Sequence, residues 1–365
     1  MTITIETARL TAALTALKCV IDTRSYIPVL DHVMFDGAGR VSATDLDMTL
    51  SVDVGAGDHP PFIAGAETLQ KALKGAGKGS MAAIEPTPDG VRVDCDGMTT
   101  TAPAEPMADY PRLTAPAGES ATFGFEASEF AAILGYVAPC MSTEETRYSL
   151  NGVCFKECSG ALDVVATDGH RLARYRTGLG AAALAEVAPS GVIVPHKAVK
   201  IARAMLAKAT GPVTLTIRGL RIRIEAEGWT LDTKLIDGTF PNYTRTIPAP
   251  TNDGATFGRA VFLKAVERVS SVSGERSKAV KLTAEGDTLT IESNAPGGRN
   301  ATMAVPCDVT GDGMVAGFNA DYLVTLAKVV PGDRITITQS NSGDPSRITS
   351  PADDRLMFVL MLMRV

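Results

Sequence analysis

The sequence predicts an α+β protein of three similar domains, each with two helices packed on antiparallel strands. The chain has 365 residues, of which 45% are hydrophobic, whereas a single hydrophobic core stops growing at roughly 250 to 300 residues. A pattern of helix and strands recurs three times, and Pro/Gly-rich joints at 114–118 and 247–254 separate the copies. These observations predict domains at residues 1–116, 117–248 and 249–365.

The repeat is clearest where a strand ends in a polar residue. An Ala-Thr-Asp triplet ends at Asp45 and again at Asp168, which is 123 residues later (168 minus 45), and Asn294 stands 126 residues further on (294 minus 168). An apolar helical pattern precedes each of these strands. A second group of strand, helix and strands follows, with helices expected at about 67–74, 196–208 and 319–329. A fixed period of this kind predicts a repeated structural unit.

The distribution of charge predicts one basic surface on an acidic protein. A net charge of −6 argues against contact with nucleic acid over the whole surface, because phosphate contacts need concentrated lysine and arginine. Helix 196–208 nevertheless contains no acid, and its cations share one face. A solvated outer face would explain one such helix, but the related helices carry cations too, which favours a positive strip facing phosphate. These cations are Lys71, Lys74, Lys78, Lys197, Lys200, Arg203, Lys264 and Arg268.

Several classes of protein are argued against. The N-terminal residues lack the basic start and apolar run of a secretory signal, and no stretch approaches the roughly 18 apolar residues of a membrane span. Six cysteines are too few for a disulfide scaffold in a chain of this length. We therefore expect a reduced, cytoplasmic protein with no membrane partner. Cys19, Cys95, Cys140 and Cys307 are interpreted as small buried apolar residues.

Three motifs suggest chemistry but fail its requirements. Segment 74–80 is similar to a phosphate-binding loop, yet it ends a helix where such a loop opens one. Cys154 and Cys158 lack the second pair of ligands that structural zinc needs. Asp168 and His170 match no nucleophile arrangement, so the Asp-Gly pair is expected to turn the chain and the histidine to line a groove. We predict no catalytic residue, no metal site and no cofactor.

Four segments together resemble the beta subunit of bacterial DNA polymerase III, and the similarity spans essentially the whole chain. They are residues 165–173 (VATDGHRLA), 235–243 (LIDGTFPNY), 317–323 (GFNADYL) and 361–365 (MLMRV), with Arg24 in RSYIPVL at 24–30 as a further match. The resemblance implies a DNA sliding clamp, that is, a head-to-tail homodimer whose six domains encircle double-stranded DNA. It also implies that Arg24 faces DNA. The implied partners are the clamp loader complex, the polymerase III alpha subunit, and other polymerases and repair proteins with clamp-binding motifs.

The family binds short partner motifs in a groove between its second and third domains. Carried over by position, the groove residues of this chain are Leu150, Thr167, Gly169, His170, Arg171, Leu172, Pro241, Arg245, Asn319, Tyr322, Val359, Leu360, Met361, Met363 and Arg364. Apolar side chains and methionines suit a peptide's hydrophobic anchors, and arginine and asparagine supply orienting donors. The chain departs from the family pattern at Thr246, Ser277, Leu362 and Val365.

Two alternatives stand beside the sliding clamp. An enzyme, for instance a hydrolase using Asp168 and His170, predicts a nucleophile beside the histidine in a concave pocket. A monomeric, clamp-like regulator would bind clamp partners without encircling DNA. The mass of the protein in solution distinguishes the regulator from the ring.

Overall fold

The computed structural model describes residues 1–111, 113, 116–272, 278–295, 299–341 and 343–364. The predicted joint at 114–118 therefore lies partly outside the described residues, as do Ser277 and Val365. The chain divides into two compact units, one of residues 1–131 and 200–235 and the other of residues 132–199 and 236–365. Within the described part of the chain, no helix is long and apolar enough to cross a membrane.

One motif, a strand and a helix followed by three strands, occurs six times along the chain. The first two copies are β1 (Ile3–Glu6), α1 (Thr7–Leu17), β2 (His32–Phe35), β3 (Ala38–Thr44) and β4 (Met48–Gly57), then β5 (Phe62–Gly65), α2 (Ala66–Leu73), β6 (Met81–Thr87), β7 (Gly90–Cys95) and β8 (Met98–Ala102). The next two are β9 (Ala121–Glu126), α3 (Ala127–Val137), β10 (Gly152–Cys158), β11 (Ala161–Thr167) and β12 (Arg171–Gly180), then, after a short helix α4 (Ala182–Val187), β13 (Val192–Pro195), α5 (His196–Leu206), β14 (Pro212–Arg218), β15 (Arg221–Ala226) and β16 (Trp229–Lys234). The last two are β17 (Gly254–Gly258), α6 (Arg259–Ser270), β18 (Ala279–Glu285), β19 (Thr288–Ala295) and β20 (Arg299–Thr310), then β21 (Met314–Asn319), α7 (Ala320–Val329), β22 (Arg334–Thr338), β23 (Ser346–Ser350) and β24 (Asp353–Leu360).

This arrangement confirms the predicted α+β class and the threefold repeat, in which each copy contains the motif twice. The helices expected at 67–74, 196–208 and 319–329 are α2, α5 and α7, and each begins and ends within about two residues of its predicted bounds. The short helix α4 is an element that the repeat did not predict. The domain limits at 116 and 248 remain a prediction.

Local sequence patterns account for the helices and strands. In α1 the buried residues Leu10, Leu14 and Leu17 recur at intervals of three and four, which places them on one face of a helix. In β9 buried and exposed residues alternate along the whole strand, as expected where one face of a sheet covers a core. Asn319 ends β21 and caps α7, because its side-chain oxygen accepts a hydrogen bond from the Asp321 amide at 2.9 Å.

Two antiparallel sheets organise the first unit. Their strand orders are β1-β6-β7-β8 and β5-β2-β3-β4-β16-β15-β14-β9. In the longer sheet, β4 pairs with β16 from Met48 opposite Thr233 to Val52 opposite Trp229. This pairing joins strands that lie more than 170 residues apart in the chain (229 minus 52 is 177), so it makes one sheet of two separate repeats.

A single sheet of 12 strands organises the second unit. Its order is β13-β10-β11-β12-β24-β23-β22-β17-β20-β19-β18-β21. Here β12 pairs with β24 from Arg171 opposite Leu360 to Tyr175 opposite Leu356. The pairing of β12 with β24 thus repeats the pairing of β4 with β16.

The cysteines fit the sequence interpretation with one exception. Cys95, Cys140 and Cys307 are buried, whereas Cys19 is exposed, and the interpretation of Cys19 as a buried residue is wrong. Cys19 follows the last turn of α1, where its thiol donates to the Ala16 carbonyl at 2.8 Å. Its position just beyond the helix, outside the apolar spacing of Leu10, Leu14 and Leu17, explains its exposure.

Candidate partner-binding groove

The Asp-Gly turn between β11 and β12 positions the first group of predicted groove residues. The Asp168 carboxylate accepts hydrogen bonds from the amides of His170 and Arg171, each at 2.9 Å. The Thr167 hydroxyl donates to the Arg171 carbonyl at 2.8 Å and accepts from the Gly169 amide at 3.1 Å. Gly169 has a φ of +90°, which favours glycine. The predicted chain turn is therefore confirmed, and its bonds hold His170 and Arg171 at the end of the strand.

The same turn recurs between β3 and β4, which confirms the repeat in its hydrogen bonds. Asp45 accepts from the amides of Asp47 and Met48 at 3.1 and 2.9 Å. The Thr44 hydroxyl donates to the Met48 carbonyl at 2.8 Å. Leu46 occupies the position of Gly169 and also has a positive φ, of +77°. The Ala-Thr-Asp triplet thus encodes a turn, and this structural role accounts for Asp168 without catalysis.

The turn, the strand β24 and the segment after Ile236 together enclose a cavity of about 190 Å³. Nine of the predicted groove residues line it, namely Leu150, Thr167, Gly169, His170, Arg171, Leu172, Pro241, Val359 and Met361. Its floor belongs to a buried apolar cluster that includes Cys154, Val165, Leu172 and Val359. Burial raises the pKa of the Cys154 thiol to about 12, so the thiol is neutral there. The floor therefore suits an apolar ligand group.

Three further residues line the same cavity and were missing from the predicted set. They are Asn242, Tyr243 and Thr246, and all lie in the segment that follows Pro241. Tyr243 belongs to the quoted LIDGTFPNY motif, so a signal for it was present in the sequence. Thr246, one of the departures from the family pattern, donates its hydroxyl hydrogen to the Tyr243 carbonyl at 2.7 Å. That hydrogen is thus satisfied within the chain.

A cation and two rings form the polar side of the groove. The Arg171 guanidinium donates from Nε to Asp168 Oδ2 at 2.9 Å and lies 4.6 Å from the centre of the Tyr322 ring. The His170 ring stacks near the same tyrosine, with 6.1 Å between the ring centres. Arg171 Nη1 is buried and has no hydrogen-bond partner among the described residues. An unsatisfied buried donor beside an apolar cavity suits a ligand that brings an acceptor.

The remaining predicted groove residues lie around the cavity and do not line it. Leu360 is fully buried, and it does not line the cavity because it neighbours Val359 in β24 and consecutive strand residues face opposite sides of the sheet. Arg245 lines an adjoining cavity together with Met361. Asn319 caps α7, and Arg364 is exposed at the end of the described chain.

The C-terminal segment is fixed by backbone hydrogen bonds at two points. The Met361 amide donates to the His170 carbonyl at 2.9 Å, and the Met363 amide donates to the Gly317 carbonyl at 2.8 Å. Met361 remains 45% exposed. Its side chain is therefore accessible to a ligand although its backbone is held, while Leu362 and Met363 are half-buried.

The cations predicted to face DNA all lie on exposed surface, several of them on exposed faces of helices. Lys197, Lys200 and Arg203 are exposed on α5, while Ala198, Val199 and Ala202 between them are buried. The other members, Arg24, Lys71, Lys74, Lys78, Lys264 and Arg268, are exposed as well. Lys71 forms an ion pair with Glu67 at 2.6 Å, which reduces the net charge on that face of α2.

In the described part of the chain, no group of three or more histidine, cysteine, aspartate and glutamate side chains is placed to hold a metal ion.

The segment 74–80, which is similar to a phosphate-binding loop, forms a turn. Gly75 and Gly79 have φ values of +84° and +81°, and the Gly77 amide donates to Asp96 at 2.6 Å. The segment follows the end of α2, as predicted.

Comparison with known proteins gives matches over the full chain. Residues 125–242 match the family model for the central domain of the DNA polymerase III beta subunit, and residues 244–364 match the model for its C-terminal domain. The beta sliding clamp of Caulobacter vibrioides is 32% identical over 377 aligned positions, which cover 100% of both chains. A crystal structure of the DNA polymerase sliding clamp from Caulobacter crescentus is 31% identical, with a TM-score of 0.88 over 100% of both chains.

A second solved structure agrees. The DnaN sliding clamp from Bartonella birtlesii, crystallised with bound griselimycin, is 29% identical and has a TM-score of 0.89 over 100% of both chains. Identity above 30% to the Caulobacter relative over the full length of both chains excludes a match limited to one domain. The chain therefore belongs to the DNA polymerase III beta subunit family, the sliding clamps that act as non-catalytic processivity subunits in DNA replication.

Proposed function

We propose that the chain forms a head-to-tail homodimeric ring of six domains that encircles duplex DNA in the cytoplasm. Each protomer would contribute the domains 1–116, 117–248 and 249–365. The ring would bind the polymerase III alpha subunit, the clamp loader complex and other polymerases and repair proteins through the groove described above. Topology would then provide processivity, since a closed ring cannot leave DNA sideways.

The observation that supports this proposal best is a pair of strand edges without a neighbour. Among the described residues, β8 pairs only with β7, and residues 299–306 of β20 pair only with β19. In the repeat, β8 corresponds to β16 and β24, while β20 corresponds to β4 and β12. Within the chain, β4 pairs with β16 and β12 pairs with β24. The third pairing of this series would join β20 of one protomer to β8 of the next. A heterologous contact of this kind generates a closed ring when the rotation that it repeats returns to the first protomer.

The chemistry of the two edges supports the same pairing. Residues 98–102 read Met-Thr-Thr-Thr-Ala. The edge at 299–306 has Arg299 and Pro306 at its two ends, and its central residues 300–304 read Asn-Ala-Thr-Met-Ala, without a charge or a proline. Edge strands of monomeric proteins are usually protected by lysine, proline or a bulge. Thr99 and Thr101 are exposed, and threonine favours strands. Two edges on one chain whose central residues lack this protection are expected to pair between chains.

Light scattering at micromolar protein tests the ring. We expect a single species of twice the 38.2 kDa chain mass, because a stable interface of standard size holds at that concentration. A species of 38.2 kDa alone would contradict the ring and would favour the monomeric regulator.

The exposed cations of α5 supply the next prediction. Replacing Lys197, Lys200 and Arg203 with glutamate should lower the amount of clamp loaded on circular DNA at least tenfold, because three phosphate-facing charges change sign. The fold should be unchanged, since all three side chains are exposed. Retention on nicked circular DNA after gel filtration measures the effect, and circular dichroism and solution mass serve as controls. Loading equal to wild type would show that these cations do not face DNA.

A further inference from the structure

An ion pair between a buried carboxylate and a half-buried arginine lies directly behind one wall of the groove. The Asp163 carboxylate is fully buried, and it faces Arg176 across the paired strands β11 and β12. Arg176 donates from Nε to Oδ1 at 2.8 Å and from Nη2 to Oδ2 at 3.1 Å. The Tyr243 hydroxyl donates to the same Oδ2 at 2.8 Å. Three donors therefore compensate a charge that has no access to water.

The tyrosine in this arrangement belongs to the groove wall. Tyr243 is 3% exposed and lies in the segment 237–248, called here the linker wall, which contributes Pro241, Asn242, Tyr243 and Thr246 to the cavity. The Ile236 amide, just before the segment, donates to the Ile193 carbonyl at 2.9 Å. The Tyr243 hydroxyl joins this segment to the sheet through its hydrogen bond to Asp163 on β11.

The energetics make this bond directional and strong. A hydrogen bond to a charged group contributes more than one between neutral groups, and a buried carboxylate that loses a donor is left partly uncompensated. Burial and the neighbouring Asp163 charge raise the pKa of the Tyr243 hydroxyl, so it remains a donor at physiological pH. Phe240, Tyr243 and Ile247 also pack in the apolar cluster below the groove, but apolar packing constrains direction less than a hydrogen bond does.

We infer that Asp163 and Arg176 are positioning residues for the partner-binding groove, acting through the hydroxyl of Tyr243. The pair fixes the linker wall at the distance from Leu172 and Val359 that a peptide's apolar anchor requires. Neither Asp163 nor Arg176 lines the cavity, so neither touches the peptide. The inference rests on the proposed function of the groove.

Peptide binding to four full-length proteins tests the inference. The proteins are wild type, Tyr243→Phe, Asp163→Leu and the double variant, and the probe is a fluorescent peptide with the clamp-binding motif of the polymerase III alpha subunit. Tyr243→Phe keeps the aromatic side chain and removes only its hydroxyl, and we expect it to weaken the peptide Kd about tenfold. Asp163→Leu should weaken binding similarly, and the double variant should bind no more weakly than either single variant, because both changes break one interaction.

This coupling distinguishes positioning from a general loss of stability. A destabilising Asp163→Leu would weaken binding in both the tyrosine and the phenylalanine backgrounds, whereas a positioning role predicts a loss only where the hydroxyl is present. Asp232→Leu is the matched control, since Asp232 faces Arg223 across β15 and β16 with the same two-bond geometry at 2.9 and 3.0 Å. This control should leave the peptide Kd unchanged, because Asp232 and Arg223 lie outside the groove.

The possible outcomes separate the inference from the function it rests on. A wild-type protein that does not bind the peptide would refute the groove function, and the inference with it. Wild-type binding with an unchanged Kd for Tyr243→Phe would overturn the positioning role alone. If Asp163→Leu does not fold, Tyr243→Phe still decides, because amide hydrogen exchange in residues 237–248 should become faster together with the loss of affinity. Unchanged exchange with unchanged affinity would contradict the inference.

Discussion

Replacing Thr101 with proline should convert the dimer into monomers. β7 and β8 are joined by Asp96 and Gly97, both with positive φ (+49° and +81°), which is the geometry of a two-residue hairpin turn. In such a hairpin Cys95 and Met98 form a hydrogen-bonded pair, and bonded and non-bonded pairs then alternate along the strands. The Thr101 amide therefore points away from β7, toward the edge proposed to meet the next protomer.

Proline at this position acts on the interface and spares the hairpin. It removes an outward donor and inserts a pyrrolidine ring where the partner strand should lie. The facing acceptor is then buried without a partner, which costs up to about 3 kcal/mol and corresponds to a dimer Kd about 100-fold weaker. Sedimentation over a range of concentrations measures that constant. Thr101→Val keeps the amide and should dimerise as wild type does. A Thr101→Pro protein that remains dimeric at nanomolar concentration would place the interface elsewhere.

Replacing Met361 with alanine should abolish most partner binding without affecting the ring. Met361 lines the cavity between the apolar floor and the linker wall, and its backbone is fixed by the His170 carbonyl. Peptides in preformed grooves concentrate their binding energy in a few buried anchors, so the loss of a receiving side chain costs on the order of 2 kcal/mol, or about 30-fold in Kd. Calorimetry with the alpha-subunit motif peptide provides the measurement.

Met81→Ala is the matched control for this change. Met81 is 50% exposed, close to the 45% of Met361, and it begins β6 in the other compact unit. Its replacement should leave peptide affinity and polymerase stimulation unchanged. Equal peptide affinity for Met361→Ala and wild type would show that the groove assignment is wrong, even for a protein that dimerises.

The repeated architecture could be predicted because it has local causes in the sequence. The Ala-Thr-Asp triplets place a hydroxyl and a carboxylate where each caps the same turn, so Asp45 and Asp168 identify equivalent strand ends. Helix spacing in α1 and α5 follows from buried residues three and four apart. The exposure of Cys19 and the burial of Leu360 were not predicted, because each depends on which side of an element a residue faces at the element's end.

The groove was only partly predictable for a different reason. Leu172, Pro241 and Met361 could be placed by resemblance, since each lies in a segment that matches the family. The support behind the groove could not be placed. Asp163 and Arg176 meet only through the register of β11 with β12, and Tyr243, which lies outside the strands, reaches Asp163 only in the folded chain. Asp163 by itself looks like an ordinary charged strand residue, and its full burial appears only in the folded chain.

The central claim, topological linkage to DNA, is tested most directly by cutting the DNA. The protein is loaded by its clamp loader onto nicked circular DNA, separated from free protein, and then one half of the sample is linearised by a restriction enzyme. Encirclement predicts that the protein stays on circular DNA at moderate salt and slides off the linear molecule within minutes. Equal retention on circular and linear DNA would contradict encirclement, because it would mean that the protein holds DNA by direct contacts.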